Sequence, residues 1–400
     1  MNAATVLRAT RVFDGERLLD GPHEVHVEEG RIAAIVPSQD PSENVSAELL
    51  GDATVLPGLV DAHVHLSFDA SPDIGALARS DMPATAALRS AMNARRHLEA
   101  GISAVRDLGS AQGIVVDVAR AVGTPLLPTA PTIVAAGQVL TITGGHGFFM
   151  GTEVDGPDAI RRGARAEVKR GARVLKVIAT GGVITEQGTP GATAMTPSEL
   201  CAAVEEAHKA GLRVAAHAHG TEGIKNALRA GVDTIEHASY LDDEAIGLFL
   251  KGDAWMVSTL IASERLMPHL DDPAMPAHVR DKIRDHTSQE SASLERATTA
   301  GVRIAAGTDA GTGYNPHGGL PEQVALLGNH GMTPERALTA ATWHAARAIG
   351  LAETHGKIAV GRRADLLVVN GDPFADLAAL RNVRAVYLGG RLIDLAGATG

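Results

Sequence analysis

The stretch Pro197–Gly220 reads PSELCAAVEEAHKAGLRVAAHAHG, and its character changes once. Pro197–Ala210 carries a helical pattern, Gly211 interrupts it, and Val214–His219 reads as an apolar strand. A glycine placed directly after a helix can adopt the left-handed conformation that ends it. The same unit recurs along the chain. Helical segments at Ala84–Ala100, Pro157–Arg170, Thr221–Ala230 and Pro276–Ala300 run into Gly101, Gly171, Gly231 and Gly301. Strands are predicted at Leu59–His65, Ile102–Leu108, Thr132–Ala136, Val174–Thr180, Val214–His219, Thr234–His237, Trp255–Thr259 and Val302–Thr308. Eight strands alternating with helices predict an α/β chain built as a (β/α)8 TIM barrel rather than an open sheet.

The two ends have a different texture. Thr5–Phe13, Glu24–Val27 and Arg31–Val36 read as short strands broken by Asp14-Gly15, Asp20-Gly21 and Gly30. Asp365–Val369 is an apolar strand, and Val383–Leu388, Gly389-Gly390 and Arg391–Ile393 read as a hairpin. We therefore expect one small β-sandwich domain made from residues 1–56 plus 352–400, flanking a barrel over residues 57–351.

Composition narrows the class further. The chain has 400 residues, 45% of them hydrophobic, and a formal net charge of -11. A mildly acidic chain has no general attraction for nucleic acid, so that partner is not expected. One cysteine, Cys201, excludes an internal disulfide framework and fits a reducing compartment. The first residues turn polar too soon for a secretory signal, and no long uncharged apolar run suggests a membrane span, so a cytoplasmic location is expected. Aromatic residues are only 3%, while His numbers 17, which invites a search for metal ligands.

Polar residues gather where the strands end. His63 and His65 are two apart on the first strand, so both point to one face, the interior in a barrel. Ala216-His217-Ala218-His219 closes the fifth strand, Glu236-His237 the sixth, and Thr308-Asp309 the eighth. Barrel active sites lie at that C-terminal rim. Lys176 sits inside the apolar run Val174–Ala179. A lysine there is costly unless it is neutral or paired. It snorkels to the surface, joins a buried ion pair or, with its pKa lowered by burial, reacts with carbon dioxide to give a carbamate able to bridge two cations.

Leu56-Pro57-Gly58-Leu59-Val60-Asp61-Ala62-His63-Val64-His65-Leu66 resembles the opening motif of the amidohydrolase superfamily. The β-rich flanks and Gly361–Leu366 are similar to it as well, so the likeness covers nearly the whole chain. Lys176–Gly182, His217–Gly220 and Gly307–Gly311 resemble the imidazolonepropionase-like branch, which includes Xaa-Pro dipeptidases, acyl-amino-acid carboxypeptidases and ochratoxin-hydrolysing amidases. The resemblance implies two divalent metal ions. His63 and His65 would hold the first, His217 and His237 the second, and a carbamate on Lys176 would bridge them. Asp309 would ligate the first metal and serve as general base and acid. Imidazole and carboxylate donors suit zinc. The substrate would be a small-molecule or dipeptide amide, and the branch implies a homo-oligomer.

Other residues have two readings each. His219 donates to the tetrahedral oxyanion or orients a metal ligand. His146, in the Gly-rich segment after strand three, contacts substrate or stabilises its loop; Phe148 and Phe149 beside it pack a substrate group or anchor that loop. His317 is a rim residue or a helix start, and Tyr240 is a candidate substrate donor. Arg106 grips a substrate carboxylate or pairs with Asp107 in the core. Two rivals to the binuclear hydrolase are a mononuclear deaminase or cyclic-amide hydrolase, which His219-Gly220-Thr221-Glu222 would suit through its HxxE spacing, and a barrel that only binds. A deaminase has no use for a lysine bridge on strand four.

Overall fold

The computed structural model describes residues 5–38 and 48–395. The outer parts of the expected β domain at residues 1–4, 39–47 and 396–400 lie outside the described residues.

The eight strands of the central array are observed at Leu59–Val64, Ile102–Asp107, Thr132–Ala135, Val174–Ile178, Arg213–Ala218, Thr234–His237, Trp255–Ser258 and Ile304–Ala306. They fall into two parallel ladders. The first three form one sheet. The last five lie in a second sheet extended by Val139–Thr141 and Gly151–Glu153. Backbone hydrogen bonds join the ladders at both seams. Arg173 N donates to Ala135 O at 2.8 Å, tying strand three to strand four. Thr308 N and Asp309 N donate to His63 O at 3.1 and 2.8 Å, tying strand eight to strand one. The arrangement is a TIM-barrel-type α/β fold, with the helices outside the strands.

All five predicted cap glycines, Gly101, Gly171, Gly211, Gly231 and Gly301, have positive φ. A residue with a Cβ is strained there, which is why each helix stops at its glycine. Strand eight is shorter than the sequence pattern suggests, because the chain bends sharply after Ala306. Asp309 has φ 56°, and its amide serves strand one rather than continuing its own ladder. The strands Val139–Thr141 and Gly151–Glu153 bracket a loop that reads in sequence only as glycine-rich.

Both chain ends build two further sheets. A four-stranded sheet runs in the order Arg31–Pro37, His23–Glu28, Thr5–Ala9, Glu48–Leu49. A five-stranded sheet runs Arg391–Leu392, Val383–Leu388, Leu366–Asn370, Ala53–Pro57, Arg11–Val12. Leu7, Val25 and Ile32 from one share a core with Val55, Val368 and Ala385 from the other, so the two form a sandwich. The step from sandwich to barrel passes through Gly58. A Cβ there would lie 2.5 Å from the Ser103 side chain, so only glycine lets the first barrel strand start so close to the second. Among the described residues no helix is long and apolar enough to cross a membrane.

Candidate metal and active site

The C-terminal ends of strands one, four, five, six and eight converge on one cavity lined by His63, His65, Lys176, His217, His219, His237 and Asp309. The ladder register does this. Ile178 pairs with His217, Ala218 with His237, and Ser258 with Ala306, so the ligand-type residues stand at one height. Two groups of potential donors result. His63, His65 and Asp309 form one, and His217, His219 and His237 the other, the donor atoms of each lying within 4.8 Å of one another.

Each imidazole has one nitrogen engaged away from the centre. His65 Nδ1 donates to Gly109 O at 2.9 Å, and His217 Nε2 donates to Gly181 O at 3.1 Å. His237 Nδ1 pairs with Thr259 Oγ1 at 2.6 Å. His63 Nδ1 stands 2.9 Å from Glu236 Oε2, an ion-pair contact rather than an aligned hydrogen bond. A carbonyl on one ring nitrogen fixes the tautomer and leaves the other nitrogen bare, the state a metal ligand needs. The bare Nε2 atoms of His63 and His65 lie 3.3 and 3.2 Å from Asp309 Oδ1.

Electrostatics favours neutral rings at His63, His217, His219 and His237 and an ionised acid at Asp309. At His65 burial would lower the imidazole, but the hydrogen bond and charge of Asp309 raise it above the usual range. Burial holds His217, His219 and His237 well below the usual imidazole range. Burial, aided by Lys176, lowers His63 to about 4. Burial alone would raise the Asp309 carboxyl, but His63, His65 and Lys176 outweigh it and hold it below the usual carboxylate range. Lys176 is 2% exposed, and its Nζ has no hydrogen-bond partner among the described residues. Burial lowers that amine to about 8. An unpaired amine at such a place conflicts with every rule for buried polar groups, unless another group completes it. Imidazoles with inward nitrogens, a carboxylate and an orphaned amine are a donor set that fits divalent cations.

Backbone strain accompanies the site. His237, Ala238 and Asp309 have φ 71°, 55° and 56°, in the left-handed region. Non-glycine residues seldom sit there, and such strain concentrates at functional sites.

His219 is oriented by a hydrogen-bonded row that the sequence does not reveal. Its Nδ1 meets Ser239 Oγ at 2.8 Å, Ser239 Oγ meets His286 Nε2 at 3.4 Å, and His286 Nδ1 meets Tyr240 OH at 3.1 Å. If the tyrosine hydroxyl donates, each following group donates in turn, and His219 Nε2 is left as an N–H donor. Tyr240 thus reaches the site through His286 and does not itself line the cavity. His317 also stands outside that wall. Its Nε2 donates to Phe68 O at 2.9 Å and its Nδ1 faces His97 Nε2 at 3.0 Å, so both nitrogens serve the fold. His146 does line the cavity, stacked on His217 at 4.4 Å between ring centroids. Gly182 makes room for it, since a Cβ there would fall 2.4 Å from the ring. Phe149 joins the wall, while Phe148 packs edge-on against it.

Arg106 departs from both of its expected roles. It is fully buried and pairs with Glu236, not Asp107, with Nη2 2.9 Å from Oε1. Burial would raise Glu236, but Arg106 with His63 and Lys176 brings it down to about 2. Arg106 thereby holds the carboxylate that faces His63. Arg106→Met leaves that charge uncompensated and is expected to cost about 3–5 kcal/mol of stability, read as a drop in Tm. Glu222, the acid that would suit a deaminase, is exposed, pairs with Lys225 at 2.5 Å and is absent from the cavity wall.

Residues 54–393 match the profile of the amidohydrolase family. The chain belongs to the amidohydrolase family. This amidohydrolase is 30% identical over 375 residues to the ochratoxinase of Aspergillus niger, covering 86% of this chain and 76% of that enzyme. The structure of a Xaa-Pro dipeptidase with bound methionine superposes with a TM-score of 0.90 at 30% identity, covering 98% of this chain and 100% of the other. A prolidase complexed with N-methylphosphonate-L-proline superposes with a TM-score of 0.87 at 31% identity, over 98% and 100% of the two chains. These relatives belong to the branch that the strand-end motifs resemble. The amidohydrolase is a metal-dependent hydrolase acting on amide bonds.

Proposed function

We propose that this amidohydrolase carries two divalent cations, zinc by the nature of its donors, and cleaves the amide bond of a dipeptide, an N-acyl amino acid or a similar amide. The ochratoxinase and dipeptidase relatives support that substrate class. The observation that carries the reading is Lys176. Its orphaned amine lies near enough to both histidine groups to help lower His63 on one side and His217 and His237 on the other. Addition of the amine lone pair to carbon dioxide, with loss of one proton, gives a carbamate whose two oxygens suit two cations. His63 and His65 would hold the first cation with Asp309, and His217 and His237 the second. In this reading the barrel over 57–351 does the chemistry, and residues 1–56 plus 352–400 form the β domain beside it.

When bound, the cations acidify water and polarise the scissile carbonyl. Asp309 takes the proton released from water and delivers it to the leaving nitrogen as the C–N bond breaks, so no net proton is gained or lost by the protein. His219, held through Nδ1 by Ser239, offers Nε2–H to the oxygen that gains charge. His146 packs beside His217 and bounds the substrate.

Two measurements test the proposal. Elemental analysis is expected to find two metals per chain; a single metal would move the reading to a mononuclear enzyme. A release assay across dipeptides, N-acyl amino acids, cyclic amides and nucleobases is expected to show turnover with the first two. His219→Ala is expected to lower kcat by about 10²–10³-fold with metal content unchanged.

A further inference from the structure

We infer that Glu290 is a specificity-determining residue, and that the substrate presents a cationic group, an ammonium or guanidinium on an aliphatic stem, to this carboxylate. The inference takes its reaction from the amide-hydrolase reading, but the contact itself rests on the wall of the cavity.

The helix Ala277–Ala300 forms one side of that wall. Val279, Ile283, His286 and Glu290 line it, at helical spacings that share one face. Glu290 is 2% exposed. Its Oε2 accepts a hydrogen bond from Ser263 Oγ at 2.6 Å, while Oε1 makes no hydrogen bond among the described residues. Among the described residues the only basic group in ion-pair reach is His286, 3.7 Å away, and burial holds that imidazole down at about 4. A buried carboxylate without a cation is costly. Burial accordingly pushes the Glu290 carboxyl up to about 7.

The rest of the wall points the same way. Among the described residues no arginine lines the cavity, and its one lysine is Lys176 at the candidate metal-ligand end. Lys282, one turn before His286, is occupied by the carbonyls of Thr185 and Glu186 at 2.6 and 3.2 Å. A substrate carboxylate placed by this helix would meet an acid and no cation. A cation there would pair with Glu290, while Val279, Ile283 and Leu266 cover its methylene stem. Formed away from water, such a pair discriminates more strongly than one at the surface.

The test uses metal-loaded enzyme and matched dipeptides with lysine, norleucine or glutamate on either side of the scissile bond. Wild-type kcat/KM is expected to favour lysine over norleucine by at least about tenfold, with glutamate lowest. In Glu290→Gln, which keeps the shape and the Ser263 hydrogen bond, the lysine-to-norleucine ratio should fall to about twofold or less. Calorimetric binding of free lysine, norleucine and glutamate to the same proteins reads the contact without turnover. Lysine no better than norleucine in the wild type, or a ratio unchanged in Glu290→Gln, overturns the inference. Lysine-selective binding lost in Glu290→Gln, but no amide cleaved, leaves the contact standing and sinks the amide-hydrolase reading. Amide cleavage with no preference for lysine does the reverse. If Glu290→Gln does not fold, the wild-type ranking alone decides.

Discussion

Asp309→Asn is expected to retain its metals and to lose about 10³–10⁴-fold in kcat. The substitution is nearly isosteric, so the side-chain oxygen that faces His63 Nε2 and His65 Nε2 remains available as a ligand. It also spares the backbone. Asp309 sits at φ 56°, a conformation that Asn tolerates as well as Asp. What disappears is the ability to take a proton from water and return it to the leaving nitrogen. Steady-state kinetics and elemental analysis on the same preparation separate the two roles. Wild-type turnover would remove Asp309 as the base, and loss of both metal and activity would recast it as a ligand first.

Lys176→Ala is expected to lose metal, from two per chain to one or none, and most of its activity with it. Short carboxylic acids such as acetate are expected to restore part of both, because a free carboxylate can enter the space the carbamate leaves. The metal-free proteins should behave differently. There the wild-type amine is buried and has no hydrogen-bond partner among the described residues, so its removal should leave thermal stability unchanged or raised. Loss of metal without loss of apo stability points to a ligand role. Unchanged metal content in Lys176→Ala would overturn the carbamate proposal.

The legible part of the site was its strand-end residues. His63 and His65 close an apolar run two residues apart, and His217, His237 and Asp309 each follow an apolar run and stand just before a glycine or small-residue turn, a pattern of neighbours in sequence. The glycine caps were legible for the same reason, since the left-handed turn they make is a local conformation. Arg106 was not. Its neighbour Asp107 offers a charge one residue away, but side chains adjacent on a strand point to opposite faces. The acid on its own side is Glu236, 130 residues later. The surroundings of Tyr240 and His317 were not legible either. Each stands a few residues beyond a strand end, where the direction of the loop decides what a side chain meets. Glu290 and His286 share a helix face at a spacing of four, yet the helix is so rich in polar residues that no stripe stands out. Only its packing across the strand ends shows which of them are buried.

Alternation of helix, glycine and strand determined the barrel, and the position of histidines at strand ends pointed to a candidate metal site at its rim. Both are local matters: φ preferences, hydrophobic period, and the alternation of side chains along a strand. Tertiary structure decided the rest. It tied one nitrogen of His65, His217 and His237 to neighbouring oxygens, set Glu236 between Arg106 and His63, and left the Lys176 amine without a hydrogen-bond partner among the described residues. It also brought Glu290 to a cavity lined by no arginine among the described residues. Those features depend on which atoms share a dehydrated volume, and burial there sets both the charge a group carries and the partner it requires.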